Sequence, residues 1–154
     1  MGQQHLYLIM NIESVKTRIK IHEGFRDTVY EDSLGKATIG YGHLVTYKDK
    51  FEEGVKYPKD QLEKLFDKDF DNAKEGMEFF IKANELDISD SAKEVLIEMI
   101  FQLGIGNVNK FKGMTKALKE KDYKTAGDEM IASKWYAQTK ERCQTLADLM
   151  RNCE

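Results

Sequence analysis

Apolar positions between Asn11 and Gly24 recur at Ile12, Val15 and Ile19, with His22 on the same side. That spacing predicts a helix. Asn11 suits its N-cap, and Gly24 suits the left-handed residue that ends it. From Val29 the period changes. "VYED" and "KATIGYGH" flank Ser33-Leu34-Gly35 and predict a hairpin with glycine in its turn. Gly40 and Gly42 alternate with Ile39, Tyr41 and His43. Glycines inside a strand weaken it and mark close approach of a ligand to the backbone.

Pro58 suits the first turn of a helix. Leu62, Leu65, Phe66, Asp69, Ala73, Met77 and Phe80 then follow at helical spacing. Such a helix runs over about 22 residues, about 33 Å, long enough to join two lobes. A further helix starts at Ser89 or Ser91, the latter forming a capping box with Glu94. Val95, Leu96, Met99, Ile100 and Leu103 give it a broad apolar face, and "GIGN" at 104–107 breaks it. Shorter helices are expected near 108–119 and 123–133. A last one starts from about Thr139 and carries Cys143, Leu146 and Met150. The sum is an α+β fold, mainly helical: a two-lobed single domain over residues 10–154. Its parts are a hairpin lobe at 22–57, a connecting helix at 58–80, and a helical lobe at 81–154 with the first helix. Residues 1–9 stand apart as an N-terminal extension, native or left by cloning.

Composition narrows the class. A chain of 154 residues with 41% hydrophobic and 33% charged positions fits one globular domain. Net charge is −3 and the signs are mixed along the chain, so nothing attracts nucleic acid globally. "HLYLIM" falls far short of the roughly 20 apolar residues that span a bilayer. No cationic segment precedes it and no small-residue cleavage site follows. Stable membrane insertion and a signal peptide are therefore not expected, and synthesis is placed in the cytoplasm. Cys143 and Cys153, ten positions apart, would stand about 15 Å apart on one helix, against a limit of about 7 Å for a disulfide. Cysteine spacing offers no metal site.

The segment "HEGFRDTVYEDSLGKATIGYGHL" carries the candidate chemistry. Glu23 lies at a helix end, Asp32 at the hairpin turn, and Thr38 on the returning strand. Two carboxylates across a cleft can cleave a glycosidic bond, one protonating the leaving oxygen and the other activating water. A threonine hydroxyl can hold that water. Taken alone, a helix-end glutamate and a turn aspartate are also ordinary turn chemistry. Other motifs fail. "HEGFR" lacks the second histidine of H-E-x-x-H, "GIGNVN" lacks the third glycine of a dinucleotide loop, and no G-x-S-x-G is present.

The order Glu23-Gly24, Tyr30, Asp32, Gly35 and Thr38-Ile39-Gly40-Tyr41-Gly42-His43 resembles the signature of phage lysozymes of the T-even type, glycoside hydrolase family 24. The likeness continues through "KDQLEKLFDKDFDNA", "MIFQLG" and "SKWYAQTKERC", nearly the whole chain from Met10 onward. It implies a muramidase that hydrolyses the β-1,4 bond between N-acetylmuramic acid and N-acetylglucosamine in bacterial peptidoglycan, with inversion. It further implies Glu23 as general acid and Asp32 with Thr38 positioning water. Leu44, Phe101 and Gln102 match cleft-lining positions, and Arg142 matches an arginine that pairs with the catalytic glutamate. His43 and Asp69 match an ion pair between the hairpin lobe and the long helix. Trp135 and Tyr136 match positions that pack the helical lobe. No cofactor or metal is implied. The partner is the peptidoglycan glycan strand, and the chain is expected to act as a monomer on the cell wall after release from the cytoplasm.

Arg142 raises a physical difficulty, because a nearby cation lowers a carboxyl pKa whereas a general acid gains from a raised one. Departures from the family follow. Family members are basic, so at −3 this chain loses long-range attraction to an anionic wall. Glu129 and Ala137 replace polar residues near the cleft. The sequence closes on "RNCE" where relatives continue into a last helix. Leu6, Leu8, Ile9 and Met10 are expected to pack near Met150 in its stead. Two alternatives remain: a lytic transglycosylase using Glu23 alone, and a non-catalytic wall-binding module.

Overall fold

The computed structural model describes residues 10–154, so the expectation for residues 1–9 lies outside the described residues. Eight helices and three strands are formed among them. Helix α1 is Ile12–Glu23, and Asn11 caps it by accepting from Ser14 N at 3.1 Å. Gly24, at φ +72°, closes it with a bond from its N–H to Lys20 O at 2.9 Å. Val15 and Ile19 are fully buried, as their spacing predicts.

Strands β1 (Arg26–Glu31), β2 (Ala37–Gly40) and β3 (His43–Leu44) form one antiparallel sheet in that order. The first strand starts three residues earlier than Val29. The returning strand is two strands, because the chain turns at Tyr41-Gly42 before His43 pairs with Ile39. Tyr30 pairs with Thr38, and Thr38 pairs with Leu44. Directly opposed residues share a face, so these three side chains form one row across the sheet.

Helix α2, Lys59–Ala83, is the long helix. Pro58 stands just before it rather than in its first turn, and its carbonyl accepts from Leu62 N at 3.3 Å. Of the predicted row, Leu62, Phe66, Ala73, Met77 and Phe80 are buried, together with Phe70, whereas Leu65 and Asp69 are half-buried. Helix α3 is Asp90–Leu103. Ser89 is its cap, accepting from Ala92 N, so Ser91 sits inside the helix and the capping box with Glu94 does not form. Gly104 breaks it, but the rest of "GIGN" is helical in α4, Ile105–Val108. Helices α5 (Lys112–Lys119), α6 (Tyr123–Ile131), α7 (Lys134–Gln138) and α8 (Lys140–Arg151) follow.

The chain divides into two compact units. A hairpin unit comprises Lys16–Asn72, and a helical unit takes the described residues through Val15 with Ala73–Glu154. In the helical unit the core is built from Leu96, Met99, Val108, Met114, Leu118, Met130, Leu146 and Met150, all fully buried. Gly76 lets α2 approach α3 closely: a Cβ there would stand 3.1 Å from Ile100 Cγ2. No helix among the described residues is long and apolar enough to cross a membrane.

Candidate active site

Glu23, Asp32, Thr38, His43, Leu44 and Asp69 all fall in the hairpin unit, whereas Phe101, Gln102 and Arg142 fall in the helical unit. The last turn of α1 is fixed by Lys20, whose ammonium donates to Glu63 Oε2 on α2 at 2.7 Å. Tyr41 Oη donates to the other Glu63 oxygen at 2.8 Å. The ammonium also stands 5.1 Å from the Tyr41 ring centre and 4.9 Å from that of Phe66. Hydrogen bonds from Lys20 and Tyr41 hold the Glu63 carboxyl below its ordinary range. Burial and that same bond push the Tyr41 phenol up to about 12. The cluster ties the helix end to the turn between Gly40 and Gly42.

Gly42 is where that turn meets Glu23. A Cβ at this position would lie 2.6 Å from Glu23 Cδ and 3.1 Å from its Cγ. The close approach predicted for the glycine-rich strand is therefore made here by the protein's own carboxylate. Gly42 also has φ +72°, a region L side chains enter at a cost.

Asp32 is built into its turn. One carboxylate oxygen accepts from Leu34 N at 2.9 Å and Lys36 N at 2.8 Å, while its own N–H donates to Lys36 O. The other oxygen has no hydrogen bond among the described residues. Thr38 is 4% exposed, and its hydroxyl donates to Lys36 O at 2.9 Å. With its proton committed, the Thr38 oxygen is left as an acceptor. Tyr30, beside Thr38 on the sheet, carries a phenol raised by burial and then by the negative charges of Glu23 and Asp32, against the opposing pull of Arg26. The Arg26 guanidinium lies 4.9 Å from its ring centre.

His43 meets Asp69 as predicted, Nδ1 to Oδ2 at 2.7 Å. A second carboxylate faces its other nitrogen, Nε2 to Asp49 Oδ2 at 3.0 Å. Burial works to lower the imidazole pKa, but the two carboxylates outweigh it and hold it above the ordinary histidine value. Burial likewise works to raise Asp49, and bonds from Thr46 and His43 outweigh it, so its carboxyl is lowered.

In the helical unit Gln102 is engaged twice. Its oxygen accepts from Trp135 Nε1 at 3.2 Å, and its amide donates to Thr139 Oγ1 at 3.3 Å. Trp135 is 3% exposed and packs this unit as predicted. Arg142 Nε donates to Glu98 Oε2 at 3.0 Å, and Glu98 is fully buried. Glu98 is a partner that the sequence reading did not name. Phe101 is half-buried at the end of α3. Among the described residues, no group of three or more His, Cys, Asp or Glu is placed to hold a metal ion.

Four residues of this arrangement escaped sequence reasoning: Tyr30 as a site residue, Gly42 as the seat of Glu23, Asp49 and Glu98. Only Glu98 left a signal, an acidic residue inside the apolar run "EVLIEMI".

Comparison with known proteins bears on the site. A family model described as phage lysozyme matches residues 20–152. A relative named Probable T4-type lysozyme 2, of Dictyostelium discoideum, is 30% identical over 85% of this chain and 89% of its own length. The pre-baseplate central spike protein Gp5 of Enterobacteria phage T4 is 27% identical over 92% of this chain but 28% of its own. The peptidoglycan hydrolase gp36 of Pseudomonas phage phiKMV is 28% identical over 83% of this chain and 14% of its own.

Proposed function

The chain belongs to the phage lysozyme family and is a glycoside hydrolase of muramidase type; from that premise we propose an endolysin-type enzyme that hydrolyses the β-1,4 bond between N-acetylmuramic acid and N-acetylglucosamine, acting as a monomer on peptidoglycan. Glu23 is the general acid, protonating the leaving glycosidic oxygen. The attacking water donates one hydrogen to the Asp32 oxygen that the turn leaves unused. Its other hydrogen goes to Thr38 Oγ1, whose own proton is held by Lys36 O. A lone pair of that water is thereby aimed at the anomeric carbon. Asp32 takes the proton as the bond forms, and Glu23 gives one up as the other bond breaks.

Attack by water from the face opposite the leaving group inverts the anomeric centre. It requires carboxyl groups about 6.5–9.5 Å apart. Leu44, Phe101 and Gln102 are the proposed glycan contacts, Leu44 standing beside Thr38 in the sheet row. Arg142 is held within the helical unit by its bond to Glu98, and His43 with Asp69 holds the strand that follows Gly42.

The observation that supports this reading best is the Lys36 peptide: its N–H holds one Asp32 oxygen and leaves the other unused, and its carbonyl takes the Thr38 proton. Incubation with purified peptidoglycan and mass analysis of the fragments tests it. Products carrying an added water and a reducing end are expected. Anhydro products would assign the chain to the transglycosylases, and no products at all would make it a binding module.

A further inference from the structure

Glu23 ends α1, and the chain on either side of it is tied to one residue, Tyr41. Three positions before the acid, on the same side of the helix, the Lys20 ammonium stands 5.1 Å from the Tyr41 ring centre and donates to Glu63 Oε2 on α2 at 2.7 Å. Two positions after the acid, the Phe25 ring packs on the Tyr41 ring with centroids 5.0 Å apart. The Lys59 ammonium covers that Phe25 ring, 5.5 Å from its centre. Phe66 meets Tyr41 edge-on at 5.4 Å between centroids. The Tyr41 hydroxyl donates to Glu63 Oε1 at 2.8 Å. Both oxygens of one carboxylate are thus taken, one by the helix that carries Glu23 and one by the turn that carries Gly42. Gly42 follows Tyr41 directly, and the Glu23 carboxyl lies against it.

We propose that Tyr41 and Glu63, with Lys20, are positioning residues for the general acid: they hold the last turn of α1 and the turn at Gly42 in one relation, and so set where the Glu23 carboxyl stands. The proposal rests on the reading of Glu23 as general acid. The turn needs such an anchor, because the strand that follows it, β3, has two residues and a short ladder. The anchor is firmer than an exposed ion pair. Both hydrogen bonds to Glu63 are charge-assisted, and the ammonium that makes one of them also faces two aromatic rings. A similar tie seven positions before Glu23 offers a comparison. Lys16 Nζ stands 5.1 Å from the Phe70 ring centre and 3.6 Å from Asp67 Oδ1, joining α1 to α2 through no residue of the hairpin turn.

The test compares kcat, KM and melting temperature for single changes in the whole chain, with kcat read well below melting. Tyr41→Phe keeps the ring and its packing and removes the donor to Glu63. It is expected to lower kcat on purified peptidoglycan about tenfold, less than the about 10²-fold of a displacement of about 1 Å, with KM unchanged. Glu63→Gln, which leaves one acceptor oxygen where two are used, is expected to do the same. Lys20→Met is expected to lose kcat, and Lys20→Arg, which keeps a charged donor, to retain it. Lys16→Met is expected to lower the melting temperature and leave kcat unchanged. In a Gly42→Ala background, where the acid is already displaced, Tyr41→Phe is expected to take nothing further from kcat. A folded Tyr41→Phe variant with the parent's kcat overturns the proposal. So does a loss that persists in full beside Gly42→Ala, or an equal loss of kcat in Lys16→Met. Failure of the general-acid reading shows separately, as a Glu23→Gln variant that cleaves like the parent.

Discussion

Replacing Gly42 by alanine tests how closely the hairpin seats Glu23. Two costs follow. Holding an L residue at φ +72° costs about 1–2 kcal/mol, which lowers the melting temperature of a chain this size by about 2–8 °C. The second falls on the site. The new methyl would stand 2.6 Å from Glu23 Cδ, where ordinary contact begins at 3.4 Å, so the carboxyl group must retreat. A displacement of about 1 Å at a reacting group costs about 10²-fold in rate. Gly54→Ala is the control: its φ is +77° and a Cβ there meets nothing within 4 Å. Both variants are expected to lose similar thermal stability, while only Gly42→Ala loses kcat by about 10²-fold on cell walls. Near-normal kcat in Gly42→Ala, at a melting temperature matching that of Gly54→Ala, refutes the seating of Glu23.

The remaining predictions concern charge. The raised pKa of His43 adds stability that is fully present below its unfolded value of about 6.5 and is lost as pH rises through the folded value; the lowered Asp49 adds stability present above about 3.9 and lost as pH falls through its folded value. Asp69→Asn is therefore expected to cost about 1.5 kcal/mol near pH 5 and much less near pH 9, read by urea unfolding; equal losses would count against the pair. Asp32→Asn keeps an oxygen for the turn and is expected to melt like the parent while losing activity, whereas Asp32→Ala also gives up two turn hydrogen bonds, about 0.5–1.5 kcal/mol each. Glu98→Ala removes the buried carboxylate that accepts from Arg142 Nε and is expected to cost about 3 kcal/mol in chemical denaturation; a loss under about 1 kcal/mol would show the pair to be minor.

The long helix was legible because burial on one face leaves a periodic record, as at Leu62, Phe66, Met77 and Phe80. Phe70 is as buried as these, but the sequence reading placed Asp69 in that row. Asp69 instead turns its carboxylate to His43, a pairing that resemblance alone supplied. The hairpin was legible from Gly35 and the change of period. The break at Tyr41-Gly42 was not, because it answers to the position of Glu23 rather than to local propensity. Asp49 lies in the loop 45–50, where no pattern distinguishes one acid from its neighbours; its partner is fixed only once His43 is placed. Glu98 and Arg142 are 44 residues apart, and their bond emerges only when α3 and α8 meet in the helical unit. Glu23, Asp32 and Thr38 were nameable as a family pattern. Their local commitments, the turn oxygen of Asp32 and the proton Thr38 gives to Lys36, needed coordinates.

The central claim is that Glu23 supplies the proton for glycosidic cleavage. Glu23→Gln removes that proton at almost constant shape, so folding is expected to be unchanged by circular dichroism and melting. Release of reducing ends from purified peptidoglycan is expected to fall by about 10²-fold or more, the weight of general acid catalysis. Release within a few-fold of the parent, from a variant that melts normally, would contradict the account.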